Sequence, residues 1–205
     1  MAAPDISLDL RELALSRGGQ PLVAGLTLHV TGGEALWLTG ANGVGKTTLL
    51  LACADLLQPD AGTVEWRASG EPRAARDLAC YAAHRGPERD GLTLGEELRF
   101  WQTLHRDTQK LEARLDGVGL GGRSGTPVAG LSAGQRRRLS LARLLSANRP
   151  AWLMDEPLAG LDAEGRARVE AAVARHIQSG GLALIASHHP VALPGVQARK
   201  LVLAA

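Results

Sequence analysis

The chain has 205 residues, the length of one ordinary domain and enough to bury a core without disulfides or a structural metal. Hydrophobic residues make up 45% and charged residues 21%, which excludes a disordered or fibrous chain. The 23 Lys and Arg nearly cancel the 21 Asp and Glu, and a net charge of +2 gives no case for nucleic acid on charge alone.

The N-terminus, MAAPDISLDLREL, has early acids and no basic start before an apolar run, so no signal peptide is expected. Residues 6–10 and 26–30 alternate apolar and polar like half-buried strands, with Gly18 and Gly19 turning between them. Residues 34–39 form an apolar run that stops at Gly40 and predict a buried strand. A helix is expected from Lys46 to Leu57, with Leu49, Leu50 and Cys53 on one side. Strands follow at 63–67 and 77–83. Thr93 and Glu96 have capping-box spacing, and Leu94, Leu98, Trp101, Leu111, Leu115 and Val118 recur at mostly helical intervals. A glycine-rich stretch, Gly117 to Gly130, interrupts this helical region. Strand character returns at 152–154 and 182–186, a helix spans roughly 163–178 between them, and residues 200–204 read as a last short strand. Cys53 and Cys80 fit neither a disulfide framework nor a paired metal spacing, so a reducing compartment is expected. No apolar stretch approaches the roughly 18–20 residues of a membrane span, so membrane association needs a partner.

Gly40 to Thr47 fits G-x-x-x-x-G-K-[ST] at every fixed position, between a predicted buried strand and a predicted helix. Gly40, Gly43 and Gly45 let the backbone curl so that its N–H groups face phosphate oxygens, and the helix N-terminus adds partial positive charge. The candidate nucleotide-binding run is Gly40, Ala41, Asn42, Gly43, Val44, Gly45, Lys46, Thr47 and Thr48. Lys46 can reach the β- and γ-phosphates, and the Thr47 hydroxyl can ligate Mg²⁺. This motif makes a nucleotide's phosphates and Mg²⁺ the expected ligands.

An apolar strand then ends in Asp155 and Glu156. Neighbours in a strand point to opposite faces, so the two acids are not expected to share one job unless the strand end bends. Asp155 is expected to face Mg²⁺ through a water. Glu156 is expected to face the γ-phosphate and to take a proton from, or orient, the attacking water.

Leu131-Ser132-Ala133-Gly134-Gln135 opens a helix, with Ser132 and Gln135 at capping-box spacing. With the two motifs above, this stretch resembles the signature motif of ABC-type ATPases. Ala159-Gly160-Leu161-Asp162 resembles the family's D-loop, and Ser187-His188 its switch histidine. The ordered motifs cover residues 6 to 188. The resemblance implies an α/β P-loop NTPase fold, with a mixed sheet and an inserted helical lobe. It implies one ATP-binding domain over 1–205, with a core of about 1–91 and 149–205 and a lobe of about 92–148. It also implies a head-to-tail homodimer in which Ser132 and Gly134 meet the γ-phosphate of the other subunit's nucleotide, His188 meets it in cis, and Asp162 lies in the D-loop.

Three positions depart from the family. His84 stands where Gln usually touches Mg²⁺ and the attacking water, and imidazole cannot donate and accept together as a carboxamide does. Arg17 takes the place of the aromatic residue that stacks on adenine, a role guanidinium can also fill. Ala133 replaces the commoner glycine.

His84, the segment 92–101, the run 131–138 and Ser187-His188-His189-Pro190 resemble one subfamily, the ATP-binding subunit of the haem exporter of bacterial cytochrome c maturation. That resemblance implies ATP hydrolysis that powers release of a haem-loaded chaperone, at the cytoplasmic face of the bacterial inner membrane, with the chain held peripherally by integral permease subunits. No direct haem binding is expected, since there is no C-x-x-C-H. Arg85, Pro87, Arg89 and the Phe100-Trp101 pair are candidates for gripping the membrane partner, against a plain core role for the pair. The alternatives are an ATPase subunit for another small solute, a nucleic-acid-linked ABC ATPase suggested by Arg136, Arg137 and Arg138 with Arg143 and Arg149, and a non-hydrolysing scaffold. Three successive arginines fan around a helix, which weighs against a nucleic-acid face.

Overall fold

The structure is a computed structural model that describes residues 5–83 and 89–204. A long hairpin, β1 (Ile6–Arg17) and β2 (Gln20–Thr31), turns at Gly18 and Gly19 as expected. It forms an antiparallel sheet of order β2-β1-β4-β5 with β4 (Ala61–Ala68) and β5 (Glu71–Arg73). A second sheet is parallel throughout its described pairings. It contains β3 (Ala35–Thr39), β6 (Ala79–Ala82), β7 (Ala151–Asp155), β8 (Leu182–Ala186) and β9 (Arg199–Val202), in the order β6-β7-β8-β3-β9.

A parallel sheet must be covered on both faces, and β7 and β8 are buried at every position. Alternation divides their side chains. Leu153 and Leu184, with Leu36 and Leu38 of β3, face Leu49 and Leu50 of helix α1 (Lys46–Cys53) and the antiparallel sheet. Trp152, Met154 and Ile185 face the opposite way, onto α5 (Ala133–Ala147) and α6 (Ala163–Gln178). Helices α3 (Leu94–His105) and α4 (Leu111–Gly117) extend this second core through Leu94, Leu98 and Leu115. The short α2 (Ala75–Leu78) leads into β6, so the strand expected from 77 starts two residues later.

Helix α1 ends earlier than its composition predicts. Asp55 adopts φ 59°, and the Leu56 and Asp55 N–H groups close onto the Leu51 and Ala52 carbonyls at 2.9 and 3.1 Å. This is a glycine-style C-terminal cap carried by an aspartate. Both predicted capping boxes are present. Thr93 accepts from the Glu96 N–H at 3.3 Å, and Ser132 from the Gln135 N–H at 3.2 Å.

At the C-terminal end of α6, His176 stacks on Trp152 with ring centroids 3.9 Å apart. Burial pushes its pKa down to about 4 from an ordinary 6.5. Below pH 6.5 the unfolded chain gains a proton that the folded chain refuses, so stability falls as pH drops from about 6.5 to about 4. Thermal or urea melts check this. Wild type should lose on the order of 1–2 kcal/mol more than His176→Phe between pH 7 and pH 5. Parallel pH profiles would contradict it.

Candidate functional site

The phosphate loop leaves β3 at Gly40, whose φ of +145° suits only glycine, and a Cβ there would lie 2.4 Å from the Leu203 carbonyl oxygen. The loop enters α1 through Gly45 at φ 109°, with no side chain capping the helix and no acid in its first turn. The first N–H groups of α1 are therefore left for an anion. Lys46 is buried, and its ammonium donates to the Gly40 and Ala41 carbonyls at 2.8 Å each. Val44 turns into the core, so its backbone alone serves the loop.

A cleft of about 580 Å³ opens at this loop. Arg17, Asn42, Gly43, Gly45, Lys46, Thr47 and Thr48 line one part of it, and Asp155, Glu156 and His188 line another. The Thr47 hydroxyl donates to Asp155 Oδ2 at 2.9 Å, although 108 positions separate them. Asp155 is on the α1 face of β7, as alternation from Leu153 requires. These two groups are hard oxygen donors and fit Mg²⁺.

Glu156 does not obey alternation. The two acids were expected on opposite faces, yet both line this cleft, because the chain turns at Glu156 through φ 51°. That is an uncommon conformation for a non-glycine residue and is concentrated at functional sites. Glu156 Oε1 lies 3.3 Å from His188 Nε2, and Oε2 accepts from the His188 N–H at 3.4 Å. His189, read in the sequence only as part of the run 187–190 and not as a site residue, also lines the cleft.

Ser132, Gly134 and Asp162 are not among the cleft-lining residues. Ser132 caps α5, and the Asp162 carboxylate caps α6 by accepting from the Gly165 N–H at 2.8 Å. Gly134 lies against the D-loop, where a Cβ would stand 3.2 Å from the Gly160 carbonyl oxygen. The signature residues Ser132 and Gly134 thus do not line the cleft of their own chain's phosphate loop.

His84, Arg85 and Pro87 fall outside the described residues. The Phe100-Trp101 pair divides. Trp101 is half-buried and donates to the enclosed Glu97 at 2.9 Å, whereas Phe100 is 40% exposed under the Arg89 guanidinium, 3.6 Å from its ring centroid. The three arginines brace their own surroundings. Arg136 donates to the Leu131 and Ala129 carbonyls, Arg137 to Ala83, and Arg138 to Gly119. Cys80 is a half-buried thiol that burial pushes up to about 11, so it stays protonated. Among the described residues no helix is long and apolar enough to cross a membrane.

The glycine geometry gives a graded test. Gly40→Ala drives a Cβ into backbone and should cost more than the roughly 1 kcal/mol of left-handed strain expected of Gly43→Ala, whose Cβ meets nothing within 4 Å. ATP titration should show weaker binding for Gly40→Ala than for Gly43→Ala. Equal losses would contradict the geometry.

The profile of the ABC transporter family matches residues 23–159. The cytochrome c biogenesis ATP-binding export protein CcmA of Rhodopseudomonas palustris (strain HaA2) is 41% identical, over 95% of this chain and 96% of that protein. The protein of the same name from Paracoccus denitrificans (strain Pd 1222) is 39% identical, over 95% and 88%. Among solved structures, an ABC transporter ATP-binding protein from Pyrococcus furiosus superposes with a TM-score of 0.81 at 20% identity, covering 96% of this chain and 97% of that one. At that identity the likeness shows the fold, an α/β P-loop NTPase. The chain belongs to the ABC transporter family, within its group of cytochrome c biogenesis ATP-binding export proteins.

Proposed function

We propose that the chain is the ATP-hydrolysing subunit of a haem-handling export complex for c-type cytochrome maturation. It is read as a single ATP-binding domain with a helical lobe of about 92–148, held on the cytoplasmic face of the bacterial inner membrane by integral permease subunits. Its work is to power release of a haem-loaded chaperone. The support for the cytochrome role is the roughly 40% identity, over nearly the full chain, to proteins named for it. The observation that carries the chemistry is the meeting of Thr47, Asp155, Glu156 and His188 at one cleft beside the phosphate loop.

In this mechanism the loop N–H groups and Lys46 bind the β- and γ-phosphates of ATP. Thr47 and Asp155 would hold Mg²⁺, which would supply neutralisation of the phosphate charge. Glu156 orients a water and accepts its proton as the oxygen attacks the γ-phosphorus, and the bond to the ADP oxygen breaks. His188, against Glu156, steadies that carboxylate and contacts the γ-phosphate. Ser132 and Gly134 act on the nucleotide of a second copy, so each site needs two subunits. A solved ATP-binding cassette of the same fold, with a TM-score of 0.76, is a dimer bound to ADP and phosphate, which supports this arrangement. Arg17 lines the cleft as a candidate face for adenine. Phe100 and Arg89 are the candidate contact for the permease.

Glu156→Gln should lose about 10²–10⁴-fold in steady-state hydrolysis while keeping ATP binding. Wild-type activity in this variant would overturn the assignment of the base. The same variant, tagged in its native host and recovered from solubilised membranes, should bring down haem-handling permease subunits. Recovery of a different permease would overturn the haem reading. Recovery of ribosomal or DNA-repair proteins without any membrane protein would overturn the transport reading.

A further inference from the structure

Trp37 lies on β3, two residues before that strand ends, and the mechanism above does not use it. Leu36 and Leu38 face α1, so alternation turns Trp37 to the opposite face, beside Ile185 of β8 and Lys200 of β9, its partners in register. The Lys200 ammonium lies 5.1 Å from its ring centroid. An indole N–H can only donate, and it takes a partner when water is shut out. Here it donates to the Ser187 carbonyl at 3.0 Å, across 150 positions of chain.

That carbonyl belongs to the same peptide unit as the His188 N–H. In a trans peptide the two groups point in opposite directions across one plane. An indole that holds the carbonyl on one side therefore also aims the N–H on the other. The His188 N–H donates to Glu156 Oε2 at 3.4 Å. The backbones on either side are already set, because the Glu156 N–H donates to the Ala186 carbonyl at 2.8 Å and the Ser187 N–H to the Leu38 carbonyl at 3.2 Å. The buried Ser187 hydroxyl accepts from the His189 N–H at 3.1 Å and donates to the His189 carbonyl at 3.0 Å. Between these anchors, the carbonyl of the Ser187–His188 peptide is held by the Trp37 side chain.

We propose that Trp37 is a positioning residue for Glu156: its indole fixes the plane of the Ser187–His188 peptide, so that the peptide N–H holds the carboxylate where it meets the attacking water. The inference rests on the reading of Glu156 as the base. Without the indole donor the peptide plane is free to rotate, and the carboxylate must be ordered afresh in each turnover. Trp37 is not among the residues that line the cleft, so its loss acts on the base and leaves the nucleotide contacts in place.

The test uses the full chain with Trp37 replaced by benzothienylalanine, which keeps the bicyclic ring and removes only the N–H. Steady-state kcat should fall about 3–10-fold, the value of one hydrogen bond, with KM for ATP within about twofold. An unchanged kcat, or a loss carried by KM, would contradict the proposal. Lys200→Ala removes the cation beside the same ring and leaves the N–H, so it should match wild type. A loss equal to that of the analogue would show that the ring's packing matters and not its donor, and would overturn the inference. Single-turnover hydrolysis by Glu156→Gln separates the two claims. If this variant keeps the wild-type rate, the base reading fails and the inference with it. If it is slow while the analogue alone matches wild type, the Trp37 inference alone is wrong. Combined with Glu156→Gln, the analogue should slow the reaction less than about twofold further, because the base it positions is already gone. The same 3–10-fold loss in both backgrounds would show that Trp37 does not act through Glu156.

Discussion

The Thr47 hydroxyl and the Asp155 carboxylate, 2.9 Å apart, join segments separated by 108 positions. Much of the fold serves to make that meeting possible. β3 and β7 both run parallel to β8, so the phosphate loop and the acidic strand end emerge at the same edge of the sheet. Both faces of the sheet are buried, so its strands supply little polar chemistry of their own. The carboxyl ends of the strands are where polar side chains can converge, as in other open α/β sheets. Leu203, just past β9, also contributes: its N–H donates to the Thr39 carbonyl at 2.8 Å, and its own carbonyl leaves no room for a Cβ at Gly40.

The helices on the far face are tied together by a polar link inside an apolar core. Glu97 of α3 is fully enclosed and holds Arg143 of α5 at 2.6 Å and the Trp101 indole at 2.9 Å. Burying such a pair costs desolvation, and breaking it by removing one partner is far worse than never having it. The link joins α3, whose exposed Phe100 is the proposed permease contact, to α5, whose N-terminus carries the signature stretch. Asp107, held by Arg114 at 2.8 and 3.0 Å, braces α4 at the same end of this region.

Features that depend on short-range chemistry were legible in the sequence. The phosphate loop, the two capping boxes, the hairpin glycines, and the limits of α6 and β8 each follow from a few adjacent residues. Features set by distant contacts were not. Asp55 closes α1 where glycine would be expected, and nothing in its neighbours announces that. Glu97 reads as one more surface acid of an N-terminal helical turn until Arg143 is seen against it. β5, all of it exposed, has no apolar pattern to betray it. At the site, Asp155 followed from strand alternation, whereas Glu156 entered the cleft through a positive φ that alternation forbids. That Ser132 lies outside the lining of the cleft that holds Lys46 is invisible in either motif. The α/β class, the family motifs and the expectation of both acids at one nucleotide could be read from the chain, but the positive-φ turn at Glu156 that brings them to one cleft could not.

The central claim is that one chain supplies only half of each ATP site. Mixing two inactive variants tests it most directly. Lys46→Ala removes the phosphate-loop cation, and Ser132→Arg blocks the signature stretch, so each should be inactive alone. In a head-to-tail mixed dimer, one site pairs the intact loop of the Ser132 variant with the intact signature of the Lys46 variant. Partial recovery of ATP hydrolysis on mixing is the predicted result, rising to a maximum near equal amounts. Hydrolysis that stays absent at every ratio, with mixed dimers demonstrably formed, would contradict the account.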